Sequence, residues 1–252
     1  MVFVTGDCHA NFEKFDQLNF PAQKDMTKED IMIVCGDFGL WHDCKTERTK
    51  LRNFAECKNF ITVFVDGNHE NFDRLYSDEF PIVDFHGGKA HKINSSVYHL
   101  MRGHVFDFEG KKFFAFGGAS SHDIEDGILD EKNFDTREKF ENAIYLWNKW
   151  GRRFRVNHLS WWEQELPSEE EMELGRQSLA AHGNKVDYII SHCCPYQVAY
   201  AMGFREGDSI TRYFQELAYD TKFTRWYFGH YHRNESIYGK YVCLYGKIER
   251  IL

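Results

Sequence analysis

Eight side chains with metal-binding chemistry stand at the ends of five apolar runs in this chain of 252 residues. Asp7 and His9 follow the run at residues 2–5, and Asp37 follows residues 31–35. Asn68 and His69 follow residues 61–65, His192 follows 188–191, and His230 and His232 follow 226–228. Each run has the β-branched and aromatic content of a buried strand, and each breaks at a polar or glycine-bearing loop. Ligands of open α/β sheets collect at such strand ends. One such ending is an ordinary strand and turn, but five in one chain are hard to explain by packing. Oxygen and imidazole donors without thiolates suit manganese, iron, zinc, cobalt or nickel. Eight donors exceed the needs of one ion. Two divalent ions about 3.5–4 Å apart, sharing a carboxylate, would use them well.

The elements that must position these groups follow from the same pattern. Asp7 and His9 sit at i and i+2, so an extended backbone would point both the same way. A short polar helix is expected at residues 11–18, and a helix at 45–58 burying Leu51, Phe54 and Ala55. With the runs at 2–5, 31–35 and 61–65, this gives a βαβαβ start and a parallel sheet. Residues 81–116 are β-rich, and Glu109-Gly110 joins strands at 101–108 and 111–116 that begin a second sheet. Residues 124–183 read as a helical insert, with Phe140, Ile144, Trp147 and Gly151 at helical spacing and a capping box at Ser168. Its aromatic stripe is expected to pack on the sheets. The sharper reading makes Trp161 and Trp162 part of a lid at the site, and His122 and Asp123 end a strand as further substrate contacts. A helix at 208–219 and a closing turn at 238–240 complete the chain, which reads as one domain over 1–252.

Composition narrows the class of protein. Hydrophobic residues make up 42% and aromatic residues 17%, enough for a full core. Seven cysteines without a C-x-x-C pair read as reduced thiols of a cytoplasmic protein rather than a disulfide framework. No apolar run approaches the roughly 20 residues that span a bilayer. The first strand starts at Val2, which leaves no room for a signal peptide in this sequence. A net charge of −8 disfavours long nucleic acid, and the basic run Arg152-Arg153-Phe154-Arg155 reads as solvated surface.

The motifs Gly6-Asp7-x-His9, Gly36-Asp37, Gly67-Asn68-His69-Glu70, Ser191-His192 and Gly229-His230-x-His232 appear in an order that resembles the calcineurin-like metallophosphoesterase superfamily. The middle section, including His99-Leu100-Met101-Arg102-Gly103, is similar to small bacterial and phage members labelled serine/threonine phosphatase-like. The resemblance implies a four-layer αββα sandwich of two mixed β-sheets flanked by helices. It implies that Asp7, His9, Asp37 and His232 hold one metal, and Asp37, Asn68, His192 and His230 the other, with Asp37 bridging. Manganese is the first choice of metal. His69 would stay free of metal and face the leaving oxygen while activated water attacks phosphorus in line. Asn68 suits that site because a third carboxylate would cancel the positive charge that phosphate needs. Ala10 replaces the usual glycine after the first histidine, and Cys194 stands where a proline is often found. Leu40 replaces the aspartate that orients the catalytic histidine in eukaryotic-type protein phosphatases, and the following arginine is missing too. Asp43 or Glu70 is the substitute partner expected here.

A phosphomonoesterase acting on a phosphorylated small molecule, nucleotide or phosphopeptide is the expected activity, with no membrane partner. The alternative within enzymes is a phosphodiesterase or nuclease for cyclic or short nucleotides. A non-catalytic scaffold of the same fold is the alternative outside them; loss of ligands would signal it, and none is lost. Substrate choice is expected to lie in residues 119–183 and 193–208.

Overall fold

The first three apolar runs lie side by side as parallel strands: β1 (Val2–Thr5), β2 (Ile31–Val34) and β3 (Ile61–Phe64). The computed structural model describes every residue except Trp41 and Glu206. Between β2 and β3 runs helix α1 (Lys45–Cys57), which buries Leu51 and Phe54. Between β1 and β2 the expected helix is replaced by 3-10 turns at Glu13–Phe15 and Pro21–Asp25. The short helix α2 (Phe72–Leu75) follows β3, capped by the Asn71 side chain. Strands β4 (Ile82–Phe85), β5 (Gly88–Lys92) and β6 (Val97–Leu100) add to the far side of β3. The sheet is mixed because β5 runs antiparallel to both β4 and β6.

The second sheet starts with the hairpin β7 (His104–Phe108) and β8 (Lys111–Phe116). Its turn uses Glu109 and Gly110 at φ of 53° and 73°, the pair of left-handed residues that matches strand twist. Strands β9 (Gly127–Leu129) and β10 (Phe154–Val156) form a separate parallel ribbon, with helix α3 (Arg137–Lys149) between them. Helix α4 (Glu169–Ala181) opens on the expected Ser168–Glu171 capping box. Then come β11 (Tyr188–Ser191), α5 (Tyr196–Ala201), α6 (Ser209–Asp220), β12 (Arg225–Phe228), β13 (Glu235–Ile237) and β14 (Tyr241–Cys243). The order of this sheet is β13-β14-β12-β11-β8-β7. The last strand, β15 (Ile248–Arg250), returns to the first sheet beside β1; the sequence reading did not place it.

Strand periodicity sorts the core into layers. In β3 Val63 faces inward against the second sheet, where Val4, Ile33, Phe106, Phe113, Ile190 and Tyr227 also meet. Its neighbour Phe64 points the other way, toward Phe15, Phe38, Leu51 and Phe54. The outer face of the second sheet is covered by Met172 and Leu179 of α4 and Phe214 and Leu217 of α6, packed with Phe114, Phe116 and Trp226. The result is the four-layer αββα arrangement. Each fully buried phenylalanine or leucine contributes about 1.5–3 kcal/mol, so the strand ends rest on a stiff base.

Residues 124–183 differ from the expectation of a helical insert. They contain the β9–β10 ribbon, and α4 belongs to the outer layer of the sandwich. The aromatic stripe of α3 does not pack on either large sheet. Phe140 instead joins Leu129 and Val156 of the ribbon, with Ile144, Trp147 and Phe154 against them. Helical periodicity marks an apolar face but not its partner.

A polar network crosses the first sheet beneath the loop after β3. His91 Nδ1 lies 3.0 Å from His99 Nδ1, and His99 Nε2 lies 3.0 Å from Asp66 Oδ1. Arg102 donates to Asp66 Oδ2 through Nε (3.0 Å) and Nη2 (2.5 Å). Burial, assisted by the neighbouring His99, pushes the His91 pKa down to about 4, against an unfolded value near 6.5. The unfolded chain therefore binds the extra proton between these values. Stability should fall as pH drops from about 6.5 to 4, by up to about 1.4 kcal/mol per pH unit from this one group. Urea unfolding across that range, with a chelator present throughout, should show a flatter profile in His91→Gln; an identical slope would exclude His91 as the source.

Candidate active site

Loops at the C-terminal ends of β1, β2, β3, β11 and β12 converge, and their backbones are knitted together. The Asp37 carbonyl accepts from Cys8 N (3.0 Å) and His9 N (2.7 Å), and the His192 carbonyl accepts from Gly229 N (2.9 Å). Lys14 fastens the first loop from below, donating to the carbonyls of Asp7 (2.6 Å) and Tyr245 (2.6 Å). His9, Asp37, His230 and His232 all have φ between 48° and 66°. Left-handed backbone costs these residue types about 1–2 kcal/mol each, and such strain clusters at functional sites. Asp7 and His9 therefore converge through a left-handed turn at His9, not through the extended backbone expected from their spacing. Ala10 follows at φ 55°, the conformation for which glycine is the unstrained residue.

The side chains gather into overlapping groups. Asp7, His9 and His232 form one, Asp7, Asp37 and His192 a second, and His9, Asp37 and His69 a third, with ligand atoms within 4.8 Å in each. His9 Nε2 lies 3.0 Å from His232 Nε2. His192 Nε2 lies 3.3 Å from both Asp37 Oδ2 and Asn68 Oδ1. Asp37 Oδ2 is also 3.8 Å from His9 Nδ1, so it sits between the two sets, where a bridging ligand has to be. His230 stands beside His192, ring centroids 5.0 Å apart. All seven expected ligands and His69 are brought together.

The donor set fits divalent ions. Oxygen and nitrogen ligands of such ions bond at about 2.0–2.2 Å, which the 3.0–3.8 Å separations between donors allow. Asp7 Oδ2 is buried and has no hydrogen-bond donor among the described residues, although His232 Nε2 and His9 Nε2 lie 3.1 and 3.6 Å away. A buried carboxylate oxygen left in this way is suited to a cation. Space is equally restricted. A Cβ on Gly67 would lie 2.1 Å from Asp37 Oδ1, and one on Gly229 would lie 2.1 Å from Asp7 Oδ1.

Burial opposes ionisation of both aspartates, yet both are held below the ordinary range. The imidazoles of His232 and His9 outweigh burial at Asp7, and His192 does so at Asp37, whose pKa falls to about 2. His69 is pushed down by burial, with Arg155 and His9 adding to the shift against the pull of Asp37. Neutral imidazole still offers one N–H to an oxygen.

The four further candidates differ in placement. His122 Nε2 lies 2.6 Å from His230 Nε2, and Asp123 accepts from Arg155 Nε at 2.8 Å, so both flank the ligand cluster. Trp162 is 2% exposed, donates from Nε1 to Asp73 (2.8 Å) and lines a recess beside His69. Trp161 does not line that recess, and its indole Nε1 is buried with no hydrogen-bond partner among the described residues. Neither expected partner of His69 is placed for that role. Glu70 accepts from the backbone N–H groups of Phe38, Gly39 and Gly67, and Asp43 pairs with Arg48. Arg155 is the cation beside His69 instead. Within residues 193–208, Glu206 lies outside the described residues.

Sequence reasoning also missed what orients Asn68. Its Nδ2 donates to Ser121 Oγ (3.3 Å), and that hydroxyl donates to Glu165 Oε2 (2.7 Å). The chain of contacts turns Asn68 Oδ1 toward His192. Burial pushes Glu165 up to about 7.

Two mixed sheets with helices outside, and a mixed carboxylate–imidazole cluster at their strand ends, define a metal-dependent phosphoesterase class. The chain belongs to the calcineurin-like phosphoesterase family, whose family model matches residues 1–234. It is also similar to lariat debranching enzyme A of Xenopus laevis, 25% identical over 161 residues, 58% of this chain and 28% of that protein. The chain thus spans under a third of the length of that relative. Among the described residues no helix is long and apolar enough to cross a membrane.

Removing a group that orients a metal ligand typically weakens metal affinity about 10–100-fold. Ser121→Ala should therefore lower the affinity for one Mn²⁺ by that amount in a calorimetric titration, leaving the other ion unaffected. Equal weakening of both ions, or of neither, would show that Asn68 does not depend on Ser121.

Proposed function

We propose that the chain is a dinuclear phosphomonoesterase in which His69 serves the leaving oxygen. Asp7, His9, Asp37 and His232 would hold one divalent ion, manganese foremost, and Asp37, Asn68, His192 and His230 the second. Ions bound there would neutralise phosphate charge and bring the pKa of bound water down toward about 7. His69 lies at the edge of the cluster, its backbone N–H donating to Asp37 Oδ1 at 2.9 Å. Its ring borders a recess of about 210 Å³ lined also by His42, Arg155, Leu159, Ser160 and Trp162. That juxtaposition carries the reading: an ester oriented in line from the ligand cluster places its leaving group against His69 and into a compact recess. The His69 imidazole donates its N–H to the departing oxygen, and the buried Trp162 indole forms a wall of the recess beside it.

A diester reading has its own observation. A groove of about 1000 Å³ runs from Asp7 and His9 past Lys14, Tyr245 and Arg250, and a diester needs room on both sides of phosphorus. The similarity to a lariat debranching enzyme fits that reading. The negative net charge and the small recess favour the monoester. An aryl monophosphate assayed beside the bis-aryl diester with Mn²⁺ decides; turnover confined to the diester would overturn the preference.

Because His69 also lies within reach of His9 and Asp37, its role has to be separated from ligation. His69→Ala should lose about 10²–10⁴-fold in kcat and keep two Mn²⁺ per chain by elemental analysis. Loss of one ion would make it a ligand.

A further inference from the structure

Among the three arginines at 152, 153 and 155, only the last turns inward. Phe154 and Val156 face the small core of the ribbon, so strand alternation aims Arg155 at the opposite side, toward the ligand cluster. Arg152 and Arg153 pair with Asp126 and Glu125 at the surface. The Arg155 side chain is 12% exposed. Its Nε donates to Asp123 Oδ1 (2.8 Å) and its Nη1 to the Ser160 carbonyl (2.9 Å). Nη1 lies 3.4 Å from His69 Nδ1 and Nη2 lies 3.4 Å from His69 Nε2. The two ring nitrogens point away from each other, so one guanidinium cannot meet both in plane. At equal separations the guanidinium spans the ring from one nitrogen to the other. Nη2 then has N–H groups with no oxygen acceptor among the described residues, held beside His69 Nε2.

The turn that follows β10, next to Arg155, is fastened to the segment after His69. His158 Nδ1 lies 2.9 Å from Asp73 Oδ2, and Trp162 Nε1 donates to the same oxygen at 2.8 Å. Asp73 lies in α2, four residues after His69. Arg155 is thereby built into the site rather than lying over it.

We propose that Arg155 is the anion-binding side chain of a substrate subsite at the mouth of the recess. Its Nη edge donates to a non-bridging oxygen of the phosphoryl group, with Asp123 and the Ser160 carbonyl holding the plane. The ligand for this subsite is a phosphate dianion: the end group of a monoester, or free inorganic phosphate as product. A diester carries one negative charge and gains less from the added cation. The specificity part of this inference rests on the monoester reading above; the anion-binding part does not.

The test uses the full chain loaded with Mn²⁺ and inorganic phosphate as the probe. Calorimetric titration of wild type, Arg155→Ala and Arg155→Lys should show phosphate Kd raised about 10–100-fold in the alanine variant and partly restored in the lysine variant. Elemental analysis should show two ions per chain in all three. The kcat/KM for an aryl monophosphate should fall by at least the same factor in Arg155→Ala, while that for the bis-aryl diester falls less than about threefold. An unchanged phosphate Kd with metals retained, or a Kd change accompanied by loss of an ion, overturns the assignment. Weakened phosphate binding in an enzyme whose wild type prefers the diester upholds the anion subsite and overturns the monoester reading instead.

Discussion

Two buried carboxylates set the terms for the rest of this structure. Asp7 and Asp37 are 2% and 1% exposed and close enough to share His192 in one ligand group. Like charges out of water are unfavourable unless something positive is brought among them. Histidines from three separate strand ends supply part of that compensation, and Asp7 Oδ2 is left for a cation. The left-handed turns at His9, Asp37, His230 and His232 follow from the same demand. They fold each loop back far enough to bring ligands 223 residues apart in sequence within 3.0 Å. The strain is sustained because each strand behind these loops is buried in a sandwich packed on both faces.

The two sheets also separate support from chemistry. Beneath Asn68, Asp66 is neutralised by Arg102, with His99 and His91 continuing the line of polar contacts. These groups are too deep to meet a substrate. Their effect is to hold the residue two positions before Asn68, so that the loop leaves β3 in one direction. Polar networks of this kind are stabilising only when every member is partnered, and here the guanidinium meets both Asp66 and Glu171.

Much of this was legible in residue types. Five strand ends with ligands were visible because a parallel sheet buried on both faces needs near-continuous apolar runs, and each such run stops abruptly where the ligands begin. The capping box at Ser168 works through its own neighbours, so it too could be read locally. The contacts that lay out of reach depend on distant pairing. Arg155 meets His69 across 86 residues, from a basic run whose other two arginines are surface residues. Ser121 meets Asn68 across 53 residues and Glu165 meets Ser121 across 44, and neither belongs to a motif. Asp43 was expected to supply the carboxylate missing at Leu40, but its pairing with Arg48 engages it elsewhere.

The ribbon and α3 stand apart from the part of the site that supplies the carboxylate and imidazole ligands. Leu129, Phe140 and Val156 form a core of their own, so changes there need not disturb the packing between the large sheets. Contact with the loops of the ligand cluster is made instead by hydrogen bonds: Asp73 with His158 and Trp162, and Ser121 with Glu165. Such directional contacts fix orientation over a small area, where apolar packing would need a large complementary face. A segment attached in this way can present different side chains to the ester while the ligand cluster stays in register. On the proposed reading, choice of leaving group and retention of metal would be carried by different parts of the chain, joined where Glu165 meets Ser121 and where Arg155 meets His69.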